Sequence, residues 1–341
     1  MTHITGKTGQ DRRREILVSV VVTCYNRADM VTTALDSVRN QTYRPLELIV
    51  VDDGSKDNSM AVIEDWRTRY PDREGFTSIA KSFPNGKLCA ARNRGLALAH
   101  GDYIQYVDDD DWLYPNAIAD KISYAVAHSD LDLIVNQLDY VRNGEKFNRT
   151  CISLPRNGEN LILWLFSHDT LLSATLMFKT EILRKIGGWK DGLLFGDDME
   201  ITMRLAILGG KIGMVDKCLS AARIHNMPSQ CRTIRKSLPH DFYSNFYGDL
   251  HKYASDKGVL SEEVNIAFAE VLRHSAVYCA KIGDFIAASH CMECRFKISG
   301  SRSWKGMDYR CVLVKFDWYI LHLSEKIKCV LKRVFHALHL K

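Results

Sequence analysis

Apolar runs alternate with helix-like segments through the first half of the chain. The runs Ile16–Cys24, Leu46–Val51 and Tyr103–Val107 are rich in Val, Ile, Leu and Tyr. Continuous runs of this kind are typical of strands buried on both faces of a parallel sheet. Apolar residues repeat at helical spacing in the segments between them, at 27–41, 59–70 and 87–100. The alternation predicts an α/β fold with a doubly wound, mostly parallel sheet and right-handed crossovers.

The pattern becomes more mixed beyond residue 115. A strand is predicted before it, at 76–80; beyond it, strands are predicted at 131–138, 171–179 and 211–215 and helices at 116–128, 180–189 and 195–210. The segment 140–160 is polar and loop-like, and from about Lys236 onward the periodicity is only helical. The sequence therefore predicts a disordered N-terminus over 1–15, an α/β domain over 16–235 and a helical C-terminal region over 236–341.

The composition is that of an ordinary globular protein, with 46% hydrophobic and 26% charged residues, but the charge is unevenly placed. From Arg295 to Lys341 the chain carries 11 basic and 3 acidic residues, a net charge of +8, whereas the whole chain carries +5. Apolar residues from Phe316 to Leu338 fall on one helical stripe. This basic amphipathic segment, 311–341, has two interpretations: contact with a membrane surface, or packing on the body with a solvated basic face.

The ten cysteines show no regular spacing, which favours reduced, mostly buried thiols and a cytoplasmic protein. Cys291 and Cys294 form a C-x-x-C pair, which we interpret as two thiols on one helix face. No run of about 18 apolar residues is present, so no membrane-spanning helix is expected.

Acidic residues follow two of the predicted strands. Asp52 and Asp53 end the second strand, and four consecutive carboxylates, Asp108–Asp111, end the strand at Tyr103–Val107. Ligands of such sheets bind beyond the carboxyl ends of the strands. The four carboxylates have two interpretations: a solvated cap of the following helix, or ligands for a hard divalent cation, Mg²⁺ or Mn²⁺.

Two nucleotide-binding motifs are missing from the strand ends. Neither G-x-x-x-x-G-K-[ST] nor G-x-G-x-x-G follows any predicted strand. Their absence argues against a Walker-type ATPase and against a dinucleotide-dependent dehydrogenase. Carboxylates at these positions instead suit hydrogen bonds with a nucleotide base or with sugar hydroxyls.

Four stretches together resemble glycosyltransferase family 2, whose members have the GT-A fold. They are SVVVTCYNRADMVTTALDSVRNQTY, ELIVVDDGSKDNS, ARNRGLALAHGDYIQYVDDDDWLYP and FGDDMEITMRL, in the family's order, and the resemblance covers about Val18 to His225. The resemblance implies a nucleotide-sugar donor, with UDP as the first candidate, and a divalent metal cofactor, Mn²⁺ or Mg²⁺.

The resemblance also assigns roles to individual residues. The expected contacts are with the nucleotide for Thr23, Tyr25, Asp52 and Asp53, with the diphosphate for Arg92 and Asn93, with the ribose or metal for Asp109, and with the metal for Asp108 and Asp110. Asp111 has no counterpart in this assignment. Tyr25 could alternatively cover the sheet as an aromatic lid, and Arg92 could form a surface ion pair.

The stretch FGDDMEITMRL resembles the family's acidic catalytic element. In that register Asp198 takes the position of the catalytic base, while Asp197 and Glu200 depart from the commoner residues. A place near the start of a helix is an alternative, structural reason for an acid at 198. Glu200 and Arg204 have the spacing of an ion pair on one helix face. His225 matches a family histidine near the metal, and its alternative interpretation is an ordinary loop histidine.

The sequence therefore predicts an inverting, metal-dependent glycosyltransferase that acts on a saccharide or lipid-linked saccharide in surface polysaccharide or glycolipid synthesis. The expected location is the cytoplasm or the inner face of the membrane, and nucleic-acid binding is not expected. Two alternatives remain open: a nucleotidyltransferase, and a non-catalytic nucleotide-sugar binder. The sequence does not identify the sugar, the acceptor or the linkage.

Overall fold

The structure, a computed structural model, describes residues 15–150, 152–155, 159–167, 171–224 and 238–299 of the chain. The contacts between its residues divide the chain into two compact units, and each is described separately below. The first unit comprises Met1–Ile152, Leu172–Gly192 and Lys211–Ile224, and the second comprises Ser153–Leu171, Leu193–Gly210 and His225–Lys341.

The described part of the first unit contains one sheet of nine strands. These are β1 (Val18–Cys24), β2 (Leu46–Asp52), β3 (Phe76–Ser82), β4 (Tyr103–Asp108), β5 (Trp112–Leu113), β6 (Leu133–Arg142), β7 (Glu145–Arg149), β8 (Met177–Lys179) and β9 (Ile212–Arg223). Their order is β3-β2-β1-β4-β8-β6-β9-β5, and β7 pairs with β6.

Parallel pairing dominates this sheet. β1 lies between β2 and β4 and is parallel to both, β2 is parallel to β3, and β6 is parallel to β9. The short strands β5, β7 and β8 pair in the antiparallel direction. This mostly parallel α/β sheet, with a helical C-terminal region, confirms the fold class that the sequence predicts.

The central strands are buried on both faces because helices cover them. Every residue of β1 is buried, and β2 and β4 are buried along nearly their whole lengths. The helices of this unit are α1 (Val31–Arg39), α2 (Ser59–Arg69), α3 (Lys87–Leu98), α4 (Ala117–Ala127) and α6 (Thr180–Lys185). Val31, Ala34, Leu35 and Val38 form the buried face of α1, as their helical spacing predicts.

The described part of the second unit is helical. Its helices are α5 (Leu161–Ser167), α7 (Asp197–Ile207), α8 (Phe242–Asp256), α9 (Glu262–Lys281) and α10 (Phe285–Ser299). Ser261 is the N-cap of α9, and its hydroxyl accepts a hydrogen bond from the backbone N–H of Val264 at 3.2 Å. Cys291 and Cys294 both lie on α10, and Cys291 is buried and hydrogen-bonded with Cys279 of α9.

Several elements differ from the sequence-based expectation. The segment 140–160 was expected to be a loop, but it contains β7, which forms a hairpin with β6, and its neighbour Leu161 begins α5. β9 continues from Ile212 to Arg223, well beyond the predicted strand. The strand expected at 171–179 is instead a 3₁₀ turn, Ser173–Thr175, followed by β8. Polar hairpin strands such as β7 lack the apolar pattern on which a strand prediction depends.

Three predictions stay untested. The boundary between a catalytic domain over 16–235 and a helical region over 236–341 stays a prediction, although the compact units divide the chain elsewhere. The predicted disorder of 1–15 and the amphipathic segment 311–341 lie almost entirely or entirely outside the described residues. Among the residues that the structure describes, no helix is long and apolar enough to cross a membrane.

Candidate functional site

Three strand ends bring the predicted donor-site residues to one edge of the sheet. In the register of the central strands, Thr23 of β1 lies opposite Asp108 of β4, and Cys24 lies opposite Asp52 of β2. The loops that follow these strands therefore begin side by side. The acidic ends of β2 and β4 thus meet at the same edge on either side of β1, as expected for the carboxyl ends of parallel strands.

The side chains of Asp52 and Asp53 hold the loops of this edge. Asp52 accepts hydrogen bonds from the hydroxyl of Ser82 at 2.6 Å and from the N–H of Ser55 at 3.3 Å. Asp53 is buried, and it accepts from the N–H groups of Gly86 and Lys87 at 2.8 and 2.9 Å.

Arg94 of α3 adds an ion pair with Asp53 at 2.7 Å. A carboxylate is favourable at the N-terminal end of a helix, where backbone N–H groups lack helical partners. Asp53 therefore fixes the start of α3, the helix that carries Arg92 and Asn93.

Arg92 lies beneath the first of the four carboxylates. Its side chain is only 1% exposed, and its Nη2 atom is 3.0 Å from Oδ1 of Asp108 and 2.8 Å from the hydroxyl of Ser173. Its guanidinium also lies over the ring of Trp189, 4.4 Å from the centroid. The ion pair that was one alternative for Arg92 is present, but it is buried rather than on the surface.

The remaining carboxylates of the run have unequal surroundings. Burial, together with the charges of Asp110 and Asp108, raises the pKa of Asp109 to about 7, against the opposing effects of the Tyr25 N–H and Arg27. Burial and the charges of Asp108 and Asp110 also raise the pKa of Asp111 well above its usual range. The N–H of Arg223 donates to Asp111 at 3.2 Å.

Tyr25 and Asn93 differ in how much of the side chain is available to a ligand. The Tyr25 ring is 37% exposed, and its backbone N–H donates to Asp109 at 3.0 Å. The Asn93 side chain donates to the carbonyl of Trp189 and to Asp191, and it accepts from the N–H of Trp189. Asn93 therefore clamps the segment after α6 in this structure.

The carboxylate oxygens at the end of β4 are of the type that binds a divalent cation. Among the described residues, no three Asp, Glu, His or Cys side chains are arranged to hold a metal ion by themselves. Mg²⁺ commonly takes only one or two protein carboxylates and completes its coordination with substrate phosphates and water. Burial, and then the mutual repulsion of the carboxylates, raise the pKa of Asp109 and Asp111, and a bound cation would relieve this electrostatic cost.

The expected base lies in the second unit. Asp198 is in the first turn of α7, which follows Gly196, a glycine with a left-handed backbone (φ 78°). Glu200 and Arg204 form a bidentate ion pair on α7, with both N–O distances 2.7 Å, as their spacing predicts, and both side chains are buried. His225, the third expected metal ligand, lies outside the described residues.

Sequence reasoning missed Ser173 and Trp189, which complete the surroundings of Arg92. Neither belongs to a motif, and each is at least 80 positions from Arg92 in the chain. It also missed Arg94, the ion-pair partner of Asp53. Its position two residues after Arg92 in the same predicted helix was a signal that could have identified it.

Comparison with known proteins identifies the class. Residues 19–187 match the model of the family described as "Glycosyl transferase family 2". The chain is 27% identical to EpsH of Bacillus subtilis over 294 residues, which is 84% of this chain and 79% of EpsH. For several other curated relatives the match covers less than two thirds of their length.

Two solved structures share the fold. S. aureus TarS 1-349, in complex with UDP-GlcNAc, superposes with a TM-score of 0.57 at 18% identity, covering 84% of this chain and 91% of that one. The mannosyltransferase PcManGT from Pyrobaculum calidifontis, in complex with GDP-Man and Mn²⁺, has a TM-score of 0.50 at 17% identity, covering 92% and 82%. These likenesses establish a GT-A fold.

The chain contains a glycosyltransferase family 2 domain over residues 19–187. It is therefore a glycosyltransferase, and the edge formed by β1, β2 and β4 is its candidate donor site.

Proposed function

We propose that this enzyme transfers a sugar from a nucleotide diphosphate sugar, with UDP-sugars as first candidates, to an acceptor hydroxyl with inversion of configuration. The observation that carries the proposal is the register of β1 with β2 and β4, which aligns Thr23, Asp52 and Asp108 at one edge. The structurally similar TarS and PcManGT were solved with UDP-GlcNAc and GDP-Man.

Residues of the first unit bind the donor in this proposal. Tyr25 and Thr23 contact the nucleotide with Asp52 and Asp53, Asp109 contacts the ribose, and Arg92 and Asn93 orient the diphosphate. Asp110, with Asp108 and His225, would hold a divalent cation, Mn²⁺ or Mg²⁺, which would supply positive charge to stabilise the departing diphosphate. The family resemblance assigns Asp110 first to this role, and Asp108 is also paired with Arg92.

Asp198 is the proposed base. Its carboxylate accepts the proton of the acceptor hydroxyl as that oxygen attacks the anomeric carbon from the face opposite the diphosphate. The bond to the diphosphate breaks as the new glycosidic bond forms, so one displacement inverts the anomeric centre. The protein's further contribution is to hold donor and acceptor in line and to exclude water.

The donor proposal is tested by calorimetry with UDP, GDP and dTDP, each with and without Mn²⁺. We expect one nucleotide to bind clearly better than the others, and to lose most of its affinity without Mn²⁺ or in Asp110→Ala. Asp130→Ala, which removes an exposed aspartate paired with Lys211, is the matched control and retains the affinity of the unmodified protein. Binding that is indifferent to both metal and Asp110 would contradict the metal assignment.

The base is tested by comparing two neighbouring aspartates of α7. Asp198→Asn should lower kcat by roughly 10²–10⁴, the usual contribution of a general base, while nucleotide affinity changes little. Asp197→Asn is the control, and it should retain most of the activity. If both variants are equally active, Asp198 is not the base. If the unmodified protein binds a nucleotide-sugar but transfers no sugar, it is the non-catalytic binder considered above.

The stereochemical outcome is tested by proton NMR of the first product formed. Transfer from an α-linked donor should give a β-glycoside. An α-glycoside as the first product would exclude a single inverting displacement.

We also propose that the segment 311–341 contacts an anionic membrane surface, which would place the enzyme near lipid-linked acceptors. The support is its basic amphipathic sequence. In the full chain, Lys326, Lys328, Lys332 and Arg333 are replaced together by glutamate. Co-sedimentation with vesicles of phosphatidylglycerol and phosphatidylcholine should fall several-fold, and unchanged co-sedimentation would remove the proposal.

A further inference from the structure

Lys121 of α4 is a lysine with a fully buried side chain (0% exposed) in the first unit. The surrounding inward residues of α4 are apolar, among them Ile118 and Ile122. Burial holds the pKa of its amine well below its usual range, because the charged form loses its hydration. An apolar side chain of similar volume would fill this place at a smaller desolvation cost. The contacts of the amine should therefore explain why a lysine occupies this buried position.

The amine bonds to the segment that underlies the donor site. Its Nζ atom donates to Oε1 of Gln105 at 2.6 Å and to the carbonyl oxygen of Thr175 at 2.9 Å. The amide of Gln105, on β4, donates to the carbonyl of Tyr106 at 2.8 Å and to that of Ala174 at 3.2 Å, and its Nε2 lies 3.5 Å from the carbonyl oxygen of Ser173. Together the two side chains bond to the carbonyls of Thr175 and Ala174 in the 3₁₀ turn Ser173–Thr175.

The same turn presents a hydroxyl to the carboxylate run. The Oγ of Ser173 accepts a hydrogen bond from Nη2 of Arg92 at 2.8 Å and lies 3.4 Å from Oδ2 of Asp108. Arg92 and Asp108 are themselves paired at 3.0 Å. Because the turn has only three residues, a displacement of Thr175 or Ala174 is transmitted to Ser173 and hence to the Arg92–Asp108 pair.

We propose that Lys121 is a positioning residue for the donor site. It fixes the 3₁₀ turn, with Gln105, so that Ser173 holds Arg92 and Asp108 in the arrangement that receives the donor diphosphate. The inference rests on the proposed nucleotide-sugar function and adds to it a residue that makes no contact with the ligand.

The first test compares Lys121→Met with Lys179→Met. Methionine has a similar length and no N–H donor, and Lys179 is a half-buried lysine whose Nζ also bonds to a backbone carbonyl, that of Ser129. Affinity is measured by calorimetry with Mn²⁺ and whichever of UDP, GDP and dTDP the unmodified protein binds most tightly. We expect Lys121→Met to weaken affinity about five- to tenfold, the effect of roughly one net hydrogen bond, and Lys179→Met to change it less than about twofold.

A double-mutant cycle with Ser173→Ala shows whether Lys121 acts through the turn. Residues in one hydrogen-bond network show non-additive effects, whereas independent residues add. We expect Ser173→Ala alone to weaken nucleotide binding and Lys121→Met to add little in that background. Additive losses, or a lower melting temperature of Lys121→Met with unchanged affinity, would overturn the inference because they mark a merely structural lysine.

If Lys121→Met does not fold, Lys121→Gln replaces it in both measurements. Its shorter amide cannot reach both acceptors, so we expect its affinity to be weakened by at least about threefold relative to Lys179→Gln, by loss of part of a hydrogen bond. Equal affinities of these two variants would overturn the inference. Absence of nucleotide binding by the unmodified protein is a different result, which would overturn the proposed function itself.

Discussion

Charged side chains in the first unit are buried more deeply than their types suggest. Arg92 and Lys121 are almost completely enclosed, although lysine and arginine are among the residues least often found fully buried. Arg92 is paired with a carboxylate, while the described bonds of Lys121 are to an amide and a carbonyl. The two residues therefore predict different responses to substitution.

Arg92→Met should destabilise the ligand-free protein, because it leaves Asp108 and the Ser173 hydroxyl without their partner. Asp108 is 30% exposed, so we expect a loss of about 2 kcal/mol, below the 3–5 kcal/mol typical of a fully buried pair. Urea denaturation measures the change. Arg69→Met, which breaks an exposed pair with Asp65, is the control, with an expected loss of under about 0.5 kcal/mol. Equal losses would mean that burial of the Arg92 pair has no energetic consequence.

Lys121 should make stability rise with pH. Its pKa in the folded protein lies well below the value of about 10.4 for an unfolded lysine. Between these two values the unfolded chain binds more protons, so the free energy of unfolding increases by up to about 1.4 kcal/mol per pH unit. Urea denaturation at pH 7, 8, 9 and 10 should show this slope in the unmodified protein relative to Lys121→Met. A pH-independent difference between the two would show that Lys121 is charged in the folded state.

Among the elements, α3 has the closest connection between packing and the candidate site. It begins where Asp53 accepts the N–H groups of Gly86 and Lys87, and it carries Arg92 and Asn93. Gly95 allows α3 to lie close to β1, because a Cβ at this position would be 2.3 Å from Cγ1 of Val21. The site therefore depends on a glycine that contacts no ligand.

Gly95→Ala should destabilise the protein, although alanine is normally favoured over glycine inside a helix. The added methyl group overlaps Val21, and overpacking of this kind typically costs about 1–3 kcal/mol. The double variant Gly95→Ala/Val21→Ala provides space for the methyl group and should recover part of the loss. Chemical denaturation of the three proteins measures both effects, and a stabilised Gly95→Ala variant would show that α3 can shift without cost.

For the whole chain, the main prediction concerns metal removal. Four carboxylates, Asp108–Asp111, lie at the edge of the candidate site, and the diphosphate of the proposed donor would add further negative charge. Treatment with EDTA should therefore abolish sugar transfer, and addition of Mn²⁺ or Mg²⁺ should restore it. Donor consumption, followed by release of the nucleotide diphosphate, is the measurement. If transfer in EDTA is undiminished, no metal is needed, and protein cations such as Arg92 must balance the charge of the carboxylates and the diphosphate.

The sequence alone predicted more of the framework than of the contacts. The apolar runs and helical spacing predicted β1, β2, β4, α1 and α4 close to their observed bounds, because those elements are buried along periodic faces. The same reasoning missed β7 and α5, whose residues lack a distinctive period or are too few to establish one. The family resemblance was likewise available from local motifs, and the comparison with known proteins confirmed it.

The sequence by itself determined the fold class, the glycosyltransferase family and the carboxylate run, because residues close together in the chain are enough to identify each of them. Only the tertiary structure decided which groups surround that run. Ser173 is 65 positions from Asp108, and Thr175 is 54 positions from Lys121. The physical reason is that the hydrogen-bond partners of buried charges are brought together by strand pairing and helix packing, and neither hydrophobic period nor motif spacing encodes them.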